Sequence, residues 1–193
     1  LANVTHELKR PLAPARLVLE TLIEAPPGKF SARRQQEMLG IALHNIDNLN
    51  ALVSELLEAV RLEHRAQPLA QETIDLRDVA RRSLAAMRPL AEAHKLQMHS
   101  LIPAHEVRIQ GDATALERVM TNLLSNACKF NHEGGSILLQ IEQTSDGKAV
   151  LTVTDTGVGI PAYAREHIFE RFYQADSSST RAHDGMGLGL YIA

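Results

Sequence analysis

This sequence predicts an α+β chain: an N-terminal antiparallel helical hairpin, dimerising to a four-helix bundle, followed by an α/β sandwich. Three observations carry that reading. Apolar residues recur every three or four positions across residues 1–64, with one break at Ala25-Pro26-Pro27-Gly28-Lys29-Phe30. Beyond residue 70, period-two segments mix with helical ones, without the strand, helix, strand regularity of a doubly wound sheet. Trp is absent and aromatics make up only 4%, so packing is aliphatic, of the kind helical bundles use.

In the first helix Leu1, Val4, Leu8, Leu12, Ala15, Leu19 and Leu22 form the seam. Pro11 and Pro14 interrupt it, each removing a backbone donor, and predict a kink near Arg10. Ser31 is placed to cap the second helix, which runs to about His64 on Met38, Ile41, Leu49, Leu52, Val53, Leu56 and Val60. Two long helices on a short loop pack antiparallel. Neither stripe is fully covered within one such hairpin, and a second copy completes the bundle.

Arg65-Ala66-Gln67-Pro68-Leu69-Ala70 reads as a linker. After it come a strand at Ile74-Asp75-Leu76, a helix from Arg77 to about Lys95, and strands over Leu96 to Ile102 and Glu106 to Gln110. Asp112 caps the next helix, which runs to Phe130. A hairpin follows, Ser136 to Gln143 and Ala149 to Asp155, turning at Ser145-Asp146-Gly147-Lys148. The remainder is glycine-rich loop, with one short helical piece expected around Glu166 to Phe172.

Composition narrows the function. The 193 residues allow one or two domains, and 45% hydrophobic with 22% charged residues is globular. A net charge of -3 argues against a nucleic-acid partner. The single cysteine, Cys128, forms no internal disulfide and fits a reducing cytoplasm. No apolar run has the length of a membrane span and no signal peptide is evident. Leu1 lies inside a helical seam and Ala193 directly after one begins, so the sequence reads as a fragment, with any membrane contact made through a part not present here.

The polar residues of the helix before Phe130 are the first chemical signal. Leu116, Met120, Leu123, Leu124 and Ala127 set its buried stripe, which puts Asn122, Asn126 and Lys129 together on a neighbouring one. Asn is a poor helix former, so two of them on one face need a reason. Two carboxamides and an ammonium suit a metal-phosphate ligand; a partly exposed polar face is the alternative. In the last strand Asp155 shares a face with Ala149, Leu151 and Val153 and falls in core phase. A buried carboxylate needs a donor, either an amino group on a planar base or a backbone amide. Gly157 and Gly159 follow it, allowing close backbone approach. Gly185-Met186-Gly187-Leu188-Gly189-Leu190 resembles a phosphate loop opening a helix, although it is not the dinucleotide fingerprint. The polar stretch between Phe172 and Gly185 has the composition of a lid.

In their order these segments resemble the catalytic region of a two-component sensor histidine kinase, over essentially the whole chain. Thr5-His6-Glu7-Leu8-Lys9-Arg10-Pro11-Leu12 matches the H box and Asn122 to Phe130 the N box. Asp155 to Ile160 matches the first glycine box, Ile168 to Phe172 the F box, and Gly185 to Leu190 the second glycine box. The resemblance implies a histidine phosphotransfer hairpin over residues 1–66 and a GHKL-type ATP-binding domain, C-terminally incomplete, over 67–193. It implies His6 as phosphoacceptor with Glu7 orienting its ring, and Asn126 as the Mg²⁺ ligand. Asn122 and Lys129 would contact phosphates and Asp155 the adenine amino group, while Phe130, Gly157, Gly159, Ile160, Phe172, Gly185, Gly187, Leu188 and Gly189 would shape the ATP pocket and its lid. ATP and Mg²⁺ are the implied cofactors, and a second copy of the chain and a response regulator receiver domain the implied partners. Arg10 departs from the pattern: many members carry Thr or Asn there to orient water for dephosphorylating the regulator, and a side chain that only donates predicts weak phosphatase activity. The eight other histidines are read as surface or satisfied residues, with His183 in the lid region the one placed to approach phosphate.

Overall fold

The computed structural model describes residues 2–63, 70–175 and 187–192. Helix α1 (Ala2–Glu24) runs without a break through Pro11 and Pro14, although each proline lacks the N–H that would reach the carbonyl one turn earlier. The turn after it closes through Lys29 N–H donating to Pro26 O at 3.1 Å, with Gly28 in the left-handed region at φ 83°. Ser31 caps α2 (Ala32–Glu63) as its sequence position predicts, its Oγ accepting from Arg34 N–H at 3.3 Å. Within the hairpin Ala15, Ala42, Leu52 and Ala59 are buried, whereas Leu17, Ile23, Leu39 and Leu43 are half or more exposed. The expected linker lies outside the described residues except for Ala70.

The second part contains β1 (Glu72–Asp75), α3 (Leu76–Ala93), β2 (Gln97–Leu101), β3 (Arg108–Gly111), α4 (Ala113–Lys129), β4 (Ser136–Gln143) and β5 (Ala149–Asp155). β1 and β3 pair antiparallel, Ile74 opposite Ile109. β2, β4 and β5 form a second sheet, in which β2 runs parallel to β4 and β5 antiparallel to it, Leu139 opposite Val153. Alternation along β4 turns Ile137, Leu139 and Ile141 inward. They meet Val79, Ala80 and Ala91 of α3 and Met120, Leu124, Ala127 and Cys128 of α4 in one apolar cluster. Burial among these side chains pushes the Cys128 thiol pKa up.

Asp75 joins the layers. It caps α3, its Oδ1 accepting from Arg77 N–H at 3.1 Å and from Val107 N–H at 3.3 Å, while Arg77 Nη2 donates to Oδ2 at 2.7 Å. The side-chain bond from Arg77 is the main reason its carboxyl lies well below the usual carboxylate range.

The helical piece expected near Glu166 to Phe172 is not a helix. A 3₁₀ turn at Ala162–Ala164 leads into successive three-residue turns, His167 N–H to Ala164 O, Glu170 N–H to His167 O and Tyr173 N–H to Glu170 O. The run closes at Phe172, whose φ of 64° cannot continue a right-handed helix. A last short helix, α5 (Gly189–Ile192), begins within the second glycine box. No helix among the described residues is long and apolar enough to cross a membrane.

Candidate functional site

Helix α4 sets the geometry. Asp112 caps it through Ala115 N–H at 3.0 Å, and the buried side of Met120, Leu124, Ala127 and Cys128 fixes its rotation. Asn122, Asn126 and Lys129 are then half-buried on the adjacent face, where the sequence spacing puts them. Asn122 Nδ2 donates to Gly189 O at 3.0 Å, drawing the start of α5 against α4. A Cβ at Gly189 would stand 3.9 Å from the Nδ2 and Oδ1 of Asn126, so the glycine brings backbone up to that amide. Neither the Asn126 carboxamide nor the Lys129 ammonium has a polar side-chain partner among the described residues.

The C-terminal end of α4 holds the first glycine box. Phe130 caps the helix and is half exposed. Its carbonyl accepts Val158 N–H at 3.1 Å, and a Cβ at Gly157 would lie 2.3 Å from that same oxygen. Only glycine permits this approach. Gly159 has φ 69°, and Ile160 is exposed, its carbonyl accepting from Arg165 Nε at 3.2 Å.

Asp155 corrects the sequence reading. Strand parity puts it in core phase, but it is exposed, because the apolar cluster takes in Ala149, Leu151 and Val153 and ends there. Its Oδ1 accepts Gly157 N–H at 2.8 Å. The donor is therefore a backbone amide of the glycine turn, and the rest of the carboxylate's accepting capacity is available to a ligand.

At the second glycine box, Phe172 N–H donates to Gly187 O at 3.1 Å. Gly187 has φ 67°, and a Cβ there would meet Tyr173 O at 2.4 Å. Leu188 is fully buried, in a second apolar cluster with Leu52 and Ala59 of α2, to which Leu8, Leu56, Phe172, Tyr191 and Ile192 add. Phe172 thus packs toward the hairpin, whereas Phe169 is 62% exposed. Sequence reasoning missed this cluster. Its signal was Leu188 and a short helix carrying Tyr191 and Ile192, with no apolar partner nearby in sequence.

Of the other expected positions, His6 lies on α1 and its side chain is outside the described set, as are Gly185 and His183. Glu7 accepts from Arg10 Nη1 at 3.2 Å. No group of three His, Cys, Asp or Glu able to hold a metal occurs among the described residues. The Asn126 carboxamide oxygen is a hard-cation ligand and the Lys129 ammonium a donor to anionic oxygens, a pair that would fit a magnesium-bound nucleotide. A separate hollow of about 560 Å³, between Ile109, Leu116, Met120 and Leu151, includes none of these residues.

Two family models match the chain. Residues 1–65 match the His Kinase A (phospho-acceptor) domain, and residues 111–193 match the Histidine kinase-, DNA gyrase B-, and HSP90-like ATPase family. The circadian input-output histidine kinase CikA of Thermosynechococcus vestitus is 34% identical over 194 residues, covering 100% of this chain and 26% of that protein. The chain therefore spans about a quarter of that curated relative's length. Among solved structures, the mycobacterial sensor histidine kinase MprB is 32% identical with a TM-score of 0.55, over 64% of this chain and 75% of that one. Full-length ShkA in complex with AMPPNP is 29% identical with a TM-score of 0.66, over 99% of this chain and 38% of that one.

Proposed function

The chain belongs to the two-component sensor histidine kinases, and we propose on that premise that it phosphorylates its own His6 from ATP and relays the phosphoryl group to an aspartate of a response regulator receiver domain. The observation that carries the reading is the second apolar cluster. It seats Leu188 and Phe172, at the base of the lid, on the hairpin beside Leu8, two residues from His6. This packing supports a nucleotide site set against the phosphoacceptor helix.

A ring nitrogen of His6 attacks the γ-phosphorus in line, the bond to the bridging oxygen breaks, and ADP leaves with that electron pair. Glu7, adjacent to His6, holds the proton on the other ring nitrogen and so orients the ring. Asn126 would hold Mg²⁺ through its carboxamide oxygen, and the ion would supply charge neutralisation for the phosphate oxygens. Lys129 and the remaining amide hydrogen of Asn122 contact phosphate. Asp155, already fixed by Gly157 N–H, accepts from the adenine amino group. Phe130, Gly159 and Ile160 border that end, and Gly185, Gly187, Leu188 and Gly189 carry the lid. Catalysis is positioning plus charge neutralisation.

The half-exposed aliphatic residues of α1 and α2 support a homodimer through the hairpin, completing a four-helix bundle. The partition at residues 66 and 67, a cytoplasmic location, and weak phosphatase activity owing to Arg10 belong to the same proposal. The test is incubation with γ-labelled ATP and Mg²⁺. Acid-labile label that His6→Gln abolishes supports the kinase; ATP hydrolysis without label points to an ATPase of the same fold, and ATP binding with neither to a scaffold.

A further inference from the structure

Arg10 stands one helical turn beyond His6, and positions i and i+4 of a helix share a face. Its Nη1 donates to both carboxylate oxygens of Glu7, at 3.2 and 3.5 Å. The Glu7 side chain is only 17% exposed and that of Arg10 38%, so this cation folds back along the helix onto Glu7. A phosphoryl group added to His6 brings new negative charge to the helical turn that carries the Glu7 carboxylate, and like charges repel. A guanidinium, with five donors in a planar fork, can serve a carboxylate and a phosphoryl group together.

We propose that Arg10 is a phosphoryl clamp: once His6 is phosphorylated, the guanidinium bonds the phosphoryl oxygens, separates them from Glu7, and stabilises the phosphohistidine against return to ADP. This rests on His6 being the phosphoacceptor. It gives Arg10 a role in the thermodynamics of the phosphorylated state, distinct from any effect on regulator dephosphorylation.

Transfer between ATP and His6 is reversible, so the clamp is read from an end-point. The 193-residue chain is equilibrated at fixed ratios of labelled ATP to ADP, and the phosphorylated fraction is measured. Arg10→Ala lowers the ratio of phosphorylated to free chain by about three- to tenfold, the size of a part-exposed charge-assisted bond, while Arg10→Lys keeps most of it. An Arg10→Ala end-point equal to that of the wild type, however the rate has changed, overturns the clamp and leaves the kinase reading standing. A wild-type chain that takes no label from ATP contradicts the kinase reading instead. The clamp is then decided by loading histidine directly with phosphoramidate and following the Arg10 guanidinium ¹⁵N resonances. A shift on loading that His6→Gln abolishes supports it, and unmoved resonances overturn it.

Discussion

The side-chain amide of Asn122 donates to the carbonyl of Gly189 at 3.0 Å, tying two segments 67 residues apart in sequence. One is the helix expected to face the phosphates, the other the glycine turn that ends the lid. Removing that donor with Asn122→Ala costs about 1 kcal/mol of stability in the second domain, the net worth of one such bond. It also frees the start of α5, so ATP binding weakens by more than tenfold in a calorimetric titration, while helix content stays unchanged by circular dichroism.

Gly157 is the tightest approach in the pocket, since a Cβ there would sit 2.3 Å from Phe130 O and 2.9 Å from Asp155 Oδ1. Gly157→Ala therefore breaks the Val158 to Phe130 bond or displaces the Asp155 carboxylate. We expect a loss of about 1–3 kcal/mol in denaturant unfolding and adenine-nucleotide binding that falls further than the stability loss explains.

How far the sequence was legible follows from these same positions. The apolar spacing of Met120, Leu124 and Ala127 fixed the face on which Asn122, Asn126 and Lys129 stand, because helix rotation is a local consequence of period. Asp112 and Ser31 were legible as caps for the same reason. Asp155 was misread because strand parity says which side a residue faces, not whether anything covers it there. The turns at Ala164 to Tyr173 were misread because the spacing of Phe169 and Phe172 suits a helix and a run of three-residue turns alike. The burial of Leu188 against Leu52 and Ala59 was not legible at all, since it joins elements more than a hundred residues apart with no shared pattern.

Asp75 makes stability depend on acid. Its carboxyl, bonded chiefly by the Arg77 side chain, titrates in the folded protein below its unfolded value. The stabilisation is therefore complete above the ordinary carboxylate range near pH 4 and is lost as pH falls below it toward the depressed folded value. Urea midpoints measured from pH 6 down to pH 2 should decline with this group contributing, and Asp75→Asn should be less stable at pH 6 and show a flatter acid limb.

The hairpin predicts its own assembly. Leu43 is 60% exposed and Leu17 64% in one chain. Burying one such side chain is worth about 1.5–3 kcal/mol, and a carboxylate in its place opposes association. Leu43→Asp is expected to raise the dimer dissociation constant at least about tenfold in sedimentation equilibrium, with the ATP-binding domain unaffected.

The central claim is that the Asn126 face of α4 delivers a phosphoryl group to His6. Its most direct test is mass-spectrometric localisation of phosphate, in non-acidic conditions, on chain incubated with ATP and Mg²⁺. Phosphate is expected on His6 in the wild-type chain and none in Asn126→Ala, whose thermal unfolding is otherwise normal. Phosphate appearing on His6 at the normal rate in Asn126→Ala, or on another residue in the wild type, would contradict it.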